Sequence, residues 1–189
     1  MSDEVERYVE ELRHAVTVAW LNYEIWWIYQ SSDTRPEYVD TMNRYSLFFH
    51  TSIHAHFVAS LVALYRLYET REDTYNIPTF LKLLQDGRAV PPETIDALND
   101  LYGQAKPLWV KVNVLRNKAF GHRSKAHTVS EVFNEAAVKP DDLRDLAELT
   151  KKLLNTATTA WRDTAHAFNL SSRHDTLRLL QHLKAHHEG

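Results

Sequence analysis

The chain has 189 residues, a net charge of −3 at pH 7 and no cysteine. This length predicts a single domain over residues 1–189 that needs no disulfide or metal to be stable. A chain without cysteine has no disulfide framework and no thiolate chemistry. The opening MSDEVERYVEE is acidic, unlike a secretory signal, and no later stretch approaches the roughly 18 apolar residues of a membrane span. We therefore expect a soluble, cytoplasmic protein that is not bound to a membrane.

The first half of the sequence has the apolar spacing of helices. Apolar residues recur at helical intervals over about residues 3–31 and again from Pro36 to about residue 71, which predicts two long helices. Asn76 is the expected N-cap of a short third helix that ends at Gly87. The chain has only four glycines, and all of its six prolines except Pro107 stand where a helix would begin. We predict an all-α bundle of five or six helices.

The second half of the sequence continues this pattern after a pair of prolines. Pro91-Pro92-Glu93 opens a fourth helix, in which Pro107 is expected to cause a kink. Residues 123–138 have no clear period and predict a loop. Pro140 begins a fifth helix, and a shorter last helix follows Ser171-Ser172.

Positive charge is concentrated around the end of the fourth helix. No carboxylate occurs between Asp100 and Glu131, although the chain is acidic as a whole. The same window contains six cations and two histidines: Lys106, Lys111, Arg116, Lys118, Arg123, Lys125, His122 and His127. The net charge gives no reason to expect a polyanionic partner, whereas this local concentration does.

The centre of this basic window is the stretch LRNKAFGHR, residues 115–123. Its apolar period turns Leu115 inward and leaves Arg116 and Asn117 at the edge of the buried face. Gly121 is expected to end the helix with a left-handed turn. On an ideal α-helix Arg116 and His122 would be about 240° apart around the axis and about 9 Å apart along it. Either the turn at Gly121 brings the imidazole back to the guanidinium, or the two groups meet across a symmetric interface between two copies of the chain.

The motif Arg116-Asn117-Lys118-Ala119-Phe120-Gly121-His122 resembles that of the HEPN superfamily of helical-bundle proteins. The run from FFHTSIHAHFVASLVALYRLYE through IPTFLKLLQD to VLRNKAFGHR is similar to the AbiU-like branch, which is linked to bacterial abortive infection. The resemblance covers roughly residues 40–125. It implies a metal-independent endoribonuclease that acts on RNA as a homodimer, with the two motifs facing each other. It also implies the toxin of a toxin-antitoxin or phage-defence system, with an antitoxin protein as partner.

The residue chemistry is compatible with that activity. Cleavage of RNA without a metal needs a base for the 2′-OH, an acid for the departing 5′-oxygen and a cation for the charge that develops on the phosphate. His122 can serve as base or acid, and Arg116 has the fork of donors that matches phosphate oxygens. Asn117 would orient the imidazole or a phosphate oxygen. Flanking phosphates are assigned to three auxiliary cations, Lys118, Arg123 and Lys125. Because one histidine is too few for simultaneous acid and base catalysis, a two-fold dimer is chemically sensible.

Two other interpretations of these residues stay open. One is a non-catalytic HEPN-like module whose basic helix end binds RNA, a nucleotide or a partner protein. The other is a structural or regulatory helical protein, in which Arg116 pairs with a carboxylate or covers the last carbonyls of its helix and His122 caps the same end. An ion pair between Arg116 and an acidic side chain of the folded monomer would favour the second.

Other histidines do not make a metal site or a cofactor site. His50 and His54 are four residues apart with His56 nearby, a spacing seen in metal sites. No further ligand accompanies them, so we expect these imidazoles to form local hydrogen bonds at a helix interface. Asp163 and His166 are three apart as in di-iron bundles, but the sequence lacks the inward glutamates that such a site needs. We predict no metal and no cofactor.

Overall fold

A computed structural model describes residues 2–121 and 136–188. Within these residues the protein has no strand, which confirms the all-α prediction, and there are seven α-helices where five or six were predicted. They are α1 (Ser2–Gln30), α2 (Arg35–Arg44), α3 (Ser46–Tyr68), α4 (Ile77–Asp86), α5 (Pro92–Leu115), α6 (Pro140–Arg162) and α7 (Arg173–Glu188). A π-helical segment, Arg116–Gly121, continues α5.

The additional helix arises because the second predicted helix is interrupted. Tyr45, with φ −112° and ψ 40°, ends α2 and precedes α3. Tyr38 and Met42 of α2 pack with Leu180 of α7 in a small second apolar cluster, whereas most of α3 packs along α1. Since α2 packs on α7 and most of α3 packs along α1, one straight helix from Pro36 to about residue 71 would not make both sets of contacts.

The main core lies between α1, α3, α4, α5 and α6. Its buried side chains include Leu12, Leu64, Phe80, Leu98 and Leu146, one from each of these helices. Burial of about five such side chains contributes on the order of 10 kcal/mol before the entropy of folding is subtracted. The core therefore fixes α5, the helix that carries the Arg-Asn motif, against α3 and α6.

Local capping explains where α4 begins. The Asn76 side chain accepts a hydrogen bond from the Thr79 backbone N–H at 2.9 Å, and Gly87 follows the last helical residue, Asp86. The amide group of Asn76 also donates to the Arg71 carbonyl at 2.7 Å, so one side chain holds both the loop and the helix start. The predicted cap at Asn76 and the predicted end at Gly87 are confirmed.

A buried polar contact joins α3 to α6 within the core. The Tyr68 hydroxyl lies 2.8 Å from the Thr150 hydroxyl, and Thr150 donates to the Leu146 carbonyl at 2.7 Å. Because Thr150 uses its own proton on that carbonyl, it accepts the proton of Tyr68. Burial raises the pKa of Tyr68 far above its usual value, more than the bond to Thr150 lowers it, so the phenol stays neutral and the pair is satisfied.

Helix α3 is also long and apolar enough, by length and composition, to cross a membrane, and 28% of its most apolar window is buried. The expectation that no stretch approaches such a composition is therefore wrong for α3. A core helix of a soluble protein has the same composition, and α3 packs along α1. The helix is consistent with a soluble protein, and the cytoplasmic location stays a prediction.

Candidate functional site

The Arg-Asn motif lies where α5 changes from an α-helix to a π-helix. Leu115, the last α-helical residue, is 0% exposed, which confirms that this position faces the core. Gly121 belongs to the π-helical segment rather than to a left-handed turn that ends the helix, so that prediction was wrong. The separation of about 240° between Arg116 and residue 122 assumed α-helical geometry. It does not apply over a segment with i→i+5 hydrogen bonds, a feature that is frequent at functional sites.

The guanidinium of Arg116 packs on an aromatic stack. Its Cζ lies 4.5 Å from the centre of the Tyr65 ring, which belongs to α3. Tyr65 in turn stacks on Trp109 of α5, with ring centres 6.3 Å apart and planes 23° from parallel. The Trp109 Nε1–H donates to the Tyr65 carbonyl at 3.0 Å. This hydrogen bond ties the two helices together under the arginine, and the aromatic face supplies a cation–π contact.

Asn117 forms a second contact with the same guanidinium. Arg116 donates from Nη1 to the Asn117 Oδ1 at 2.8 Å, and Asn117 donates from Nδ2 to the Asn113 Oδ1 at 2.7 Å. Because arginine is only a donor, the contact with Arg116 fixes which end of the Asn117 amide faces it. Asn113 and Asn117 are four residues apart along the helix, the spacing at which side chains meet. Asn117 therefore orients the guanidinium, and its expected contact with an imidazole or a phosphate stays a prediction.

Arg116 makes no ion pair with any carboxylate among residues 2–121 and 136–188. The neighbouring cation Lys111 does have one: its Nζ lies 2.9 Å from the Asp142 Oδ1. The carboxylate pairing expected of a purely structural Arg116 is therefore not seen in the described part of the chain. The bond to Asn117 uses one of the five N–H donors of the guanidinium.

The Lys111–Asp142 pair ties α5 to the start of α6. Asp142 is 9% exposed, and its Oδ2 accepts a hydrogen bond from the Lys139 backbone N–H at 2.7 Å. Burial alone would raise the pKa of Asp142, but the hydrogen bonds from the Lys139 backbone and the Lys111 ammonium outweigh it, so the pKa lies below its usual value. The pair holds the motif helix at a defined position beside α6.

The remaining predicted site residues are only partly described. Lys118 is half-buried in the π-helical segment, next to Asn117. The structure thus brings Arg116 and Asn117 into contact, and Lys118 follows them in the same segment. Three further predicted residues, His122, Arg123 and Lys125, lie outside the described residues.

The three histidines near the start of α3 separate into two kinds. His50 and His54 are exposed. His56 is half-buried with its Nδ1 2.8 Å from the Asn22 Oδ1, which confirms local hydrogen bonding for this residue. Burial lowers the pKa of His56. No group of three or more histidine, aspartate or glutamate side chains able to hold a metal occurs in the described ranges.

Comparison with protein families shows which family most of the chain matches. The family model HEPN_AbiU2, described as AbiU2, matches residues 2–179. The chain belongs to this family. It is therefore an abortive-infection protein of the HEPN type, as the motif and its surroundings suggested. No curated protein and no solved structure matches the chain.

Three residues that shape this site lie outside the sequence motif. Tyr65, Trp109 and Asn113 contact or orient Arg116 and Asn117. The i, i+4 spacing of Asn113 and Asn117 is a signal within the sequence. The apolar period explains Trp109 as a core residue, and nothing local indicates that Tyr65, 51 positions before Arg116, would lie beneath its guanidinium.

Proposed function

We propose that this member of the HEPN_AbiU2 family is a metal-independent endoribonuclease that cuts RNA with Arg116 and His122 in a cleft between two copies of the chain. The observation that carries the proposal is the arrangement of Arg116: a guanidinium held by Tyr65 and Asn117, without a carboxylate partner in the described residues. A structural arginine is expected to be neutralised. An arginine kept for a phosphate is expected to be oriented and left unpaired.

In this mechanism the RNA supplies its own nucleophile. The 2′-oxygen attacks phosphorus while a base removes its proton, the bond from phosphorus to the 5′-oxygen breaks, and an acid protonates the departing oxygen. The products are a 2′,3′-cyclic phosphate and a 5′-hydroxyl. Arg116 stabilises the negative charge on the non-bridging oxygens. The two proton transfers are assigned to the His122 residues of the two copies, with Lys118, Arg123 and Lys125 binding flanking phosphates.

The environment of Arg116 supports this role energetically. Arginine loses considerable rotamer entropy when a phosphate immobilises it, on the order of 1–2 kcal/mol. Tyr65 and Asn117 restrain the side chain before RNA binds, so less of this cost falls on the transition state. Preorganised donors of this kind are the largest contributors to stabilising developing charge.

We expect the purified chain to cut single-stranded RNA in the presence of excess chelator. The chemistry requires no metal, so the rate should be the same with and without added Mg²⁺. The product ends identify the mechanism: cyclic phosphates resist a phosphatase until acid opens the ring. Cleavage that stops on chelation, or that leaves 3′-hydroxyl ends, contradicts the proposal. RNA binding without cleavage would instead identify the non-catalytic module.

Replacing Tyr65 by leucine is expected to lower the cleavage rate by about 3- to 30-fold, because the cation–π contact contributes roughly 0.7–2 kcal/mol to the position of Arg116. Tyr65→Phe keeps the ring face and should stay within about twofold of wild type. Single-turnover rates with saturating RNA measure both variants. Equal losses in the two would mean that the hydroxyl, rather than the ring beneath Arg116, is what matters.

Because the chain belongs to the HEPN_AbiU2 family, we assign the proposed activity to abortive infection. A ribonuclease in such a system acts as a toxin and needs an antitoxin protein that holds it inactive. Expression of the wild-type chain in a bacterium should therefore arrest growth, and the His122→Ala variant should not. Growth arrest by both the wild type and His122→Ala would show that toxicity does not come from the proposed chemistry at His122.

A further inference from the structure

A polar cleft away from the Arg116 site lies between α1, α6 and the connection from α6 to α7. It has a volume of about 480 Å³, within the range of small-ligand sites. Its polar lining includes Glu10, Arg13, His14, Thr17, Lys151 and His166, and none of these residues belongs to the Arg116 site. The cleft thus gathers two cations and two histidines against one carboxylate.

Arg13 and His166 face each other in this cleft. The Arg13 Nη1 lies 3.4 Å from the His166 Nδ1. Arginine is only a donor, so Nδ1 must accept and the proton of the neutral imidazole sits on Nε2. That Nε2 is buried and has no hydrogen-bond partner in the part of the chain that the structure describes. A buried N–H without an acceptor costs about 1–3 kcal/mol, so this tautomer of His166 is unfavourable with the partners that the described residues offer.

The position of His166 is nevertheless fixed by its backbone. The Asn155 side chain accepts from the His166 N–H at 2.8 Å and donates to the His166 carbonyl at 3.0 Å. Both bonds come from one residue of α6, and together they fix a segment that has no helix of its own. The imidazole is therefore brought to Arg13 by a specific clamp rather than by a flexible loop.

Charge in the cleft is only partly compensated. Lys151 is 8% exposed, pairs with Glu148 at 2.8 Å and lies 3.4 Å from the centre of the Trp20 ring. Arg13 has no carboxylate within ion-pair distance among the described residues. Burial, together with the charge of Arg13, lowers the pKa of His166. An oxyanion between Arg13 and His166 would compensate the charge of the guanidinium beside the imidazole and give both groups an acceptor.

We propose that this cleft binds an oxyanion between the Arg13 guanidinium and the His166 imidazole, and that the natural ligand carries it as a phosphate group. The fork of Arg13 donates to two oxygens of the anion, as arginine does with phosphate. His166 then donates from Nδ1 instead of accepting there. The imidazole gains that proton either by moving its single proton from Nε2 through solvent or by becoming cationic.

The test uses sulfate as a probe, because sulfate has the geometry of phosphate and does not titrate near neutral pH. Long-range proton–nitrogen NMR spectra of the full chain report which imidazole nitrogen carries a proton, and the His166→Gln variant identifies the signals. We expect His166 to show the Nε2–H form without sulfate. Saturating sulfate should convert Nδ1 into a protonated nitrogen. Inorganic phosphate should compete for the same site.

Arg13→Ala should abolish this response, since it removes the fork from an exposed position where the fold does not depend on it. Arg7→Ala is the matched control, because Arg7 is an exposed arginine of the same helix that does not line the cleft. The proposal is overturned if sulfate leaves His166 unchanged or if Arg13→Ala responds like wild type. Competition by a short single-stranded RNA would assign the phosphate to RNA, and competition by inorganic phosphate alone would assign it to a small ligand. None of these outcomes depends on cleavage at Arg116.

Discussion

Replacing His122 by alanine is expected to lower RNA cleavage by at least about 1,000-fold, and replacing Arg116 by alanine by about 100- to 1,000-fold. The histidine change removes the group that transfers protons, and no second ionisable group near pH 7 stands beside it in the motif. The arginine change removes a held cation from the phosphate while the acid and base remain. Initial rates on a fluorogenic single-stranded RNA, with excess chelator present, measure both effects.

The controls separate chemistry from folding. Arg116→Lys keeps the charge but loses the fork and most of the bond to Asn117, so we expect it to recover less than about one tenth of the wild-type rate. His174→Ala changes an exposed histidine of α7 and should leave the rate unchanged. Circular dichroism and thermal unfolding should be similar for all variants. Wild-type activity in His122→Ala would eliminate the proposed mechanism. If a variant loses activity because it is unfolded, its melting curve will show the loss of structure.

The helices that begin at a local signal were predictable from the sequence. Asn76 caps α4, Pro92 opens α5 and Pro140 opens α6, because the preferences of these residues act within one turn. The break at Tyr45 has no such signal. It depends on α2 packing against Leu180 of α7 while most of α3 packs along α1. Leu180 lies more than a hundred residues further along the chain.

The candidate site was predictable in its residue types but not in its geometry. Arg116 and Asn117 stand out in a window without carboxylates, and the structure brings them together. The π-helical turn could not be read from the apolar period, because the period assumes α-helical geometry. Tyr65 could not be assigned to Arg116 either, since the two meet only when α3 packs beside the end of α5.

The position of α5 depends on one partly buried ion pair. Asp142→Asn is expected to lower the free energy of unfolding by about 2 kcal/mol at pH 7, because hydrogen bonds to a charged group contribute roughly 1.5–3 kcal/mol. The carboxylate accepts from the Lys111 ammonium and from the Lys139 backbone N–H. An amide of the same shape can accept only through its oxygen. Urea unfolding followed by circular dichroism at pH 7 measures the difference between the variant and wild type.

The pH dependence of this difference identifies the charge as its cause. The pKa of Asp142 lies below the value of 3.8 for an unperturbed aspartate in the folded protein. The stability that its charge contributes is therefore present in full above that value and is lost as the pH falls through the lower, folded-state pKa. Wild type and Asp142→Asn should converge at strongly acidic pH. Asp145→Asn lies three residues along α6, where Asp145 pairs with the exposed Arg144 and with no other cation in the described ranges. It should differ from wild type by less than about 0.5 kcal/mol at every pH. A deficit of Asp142→Asn that persists unchanged at strongly acidic pH would show that shape rather than charge holds α5 against α6.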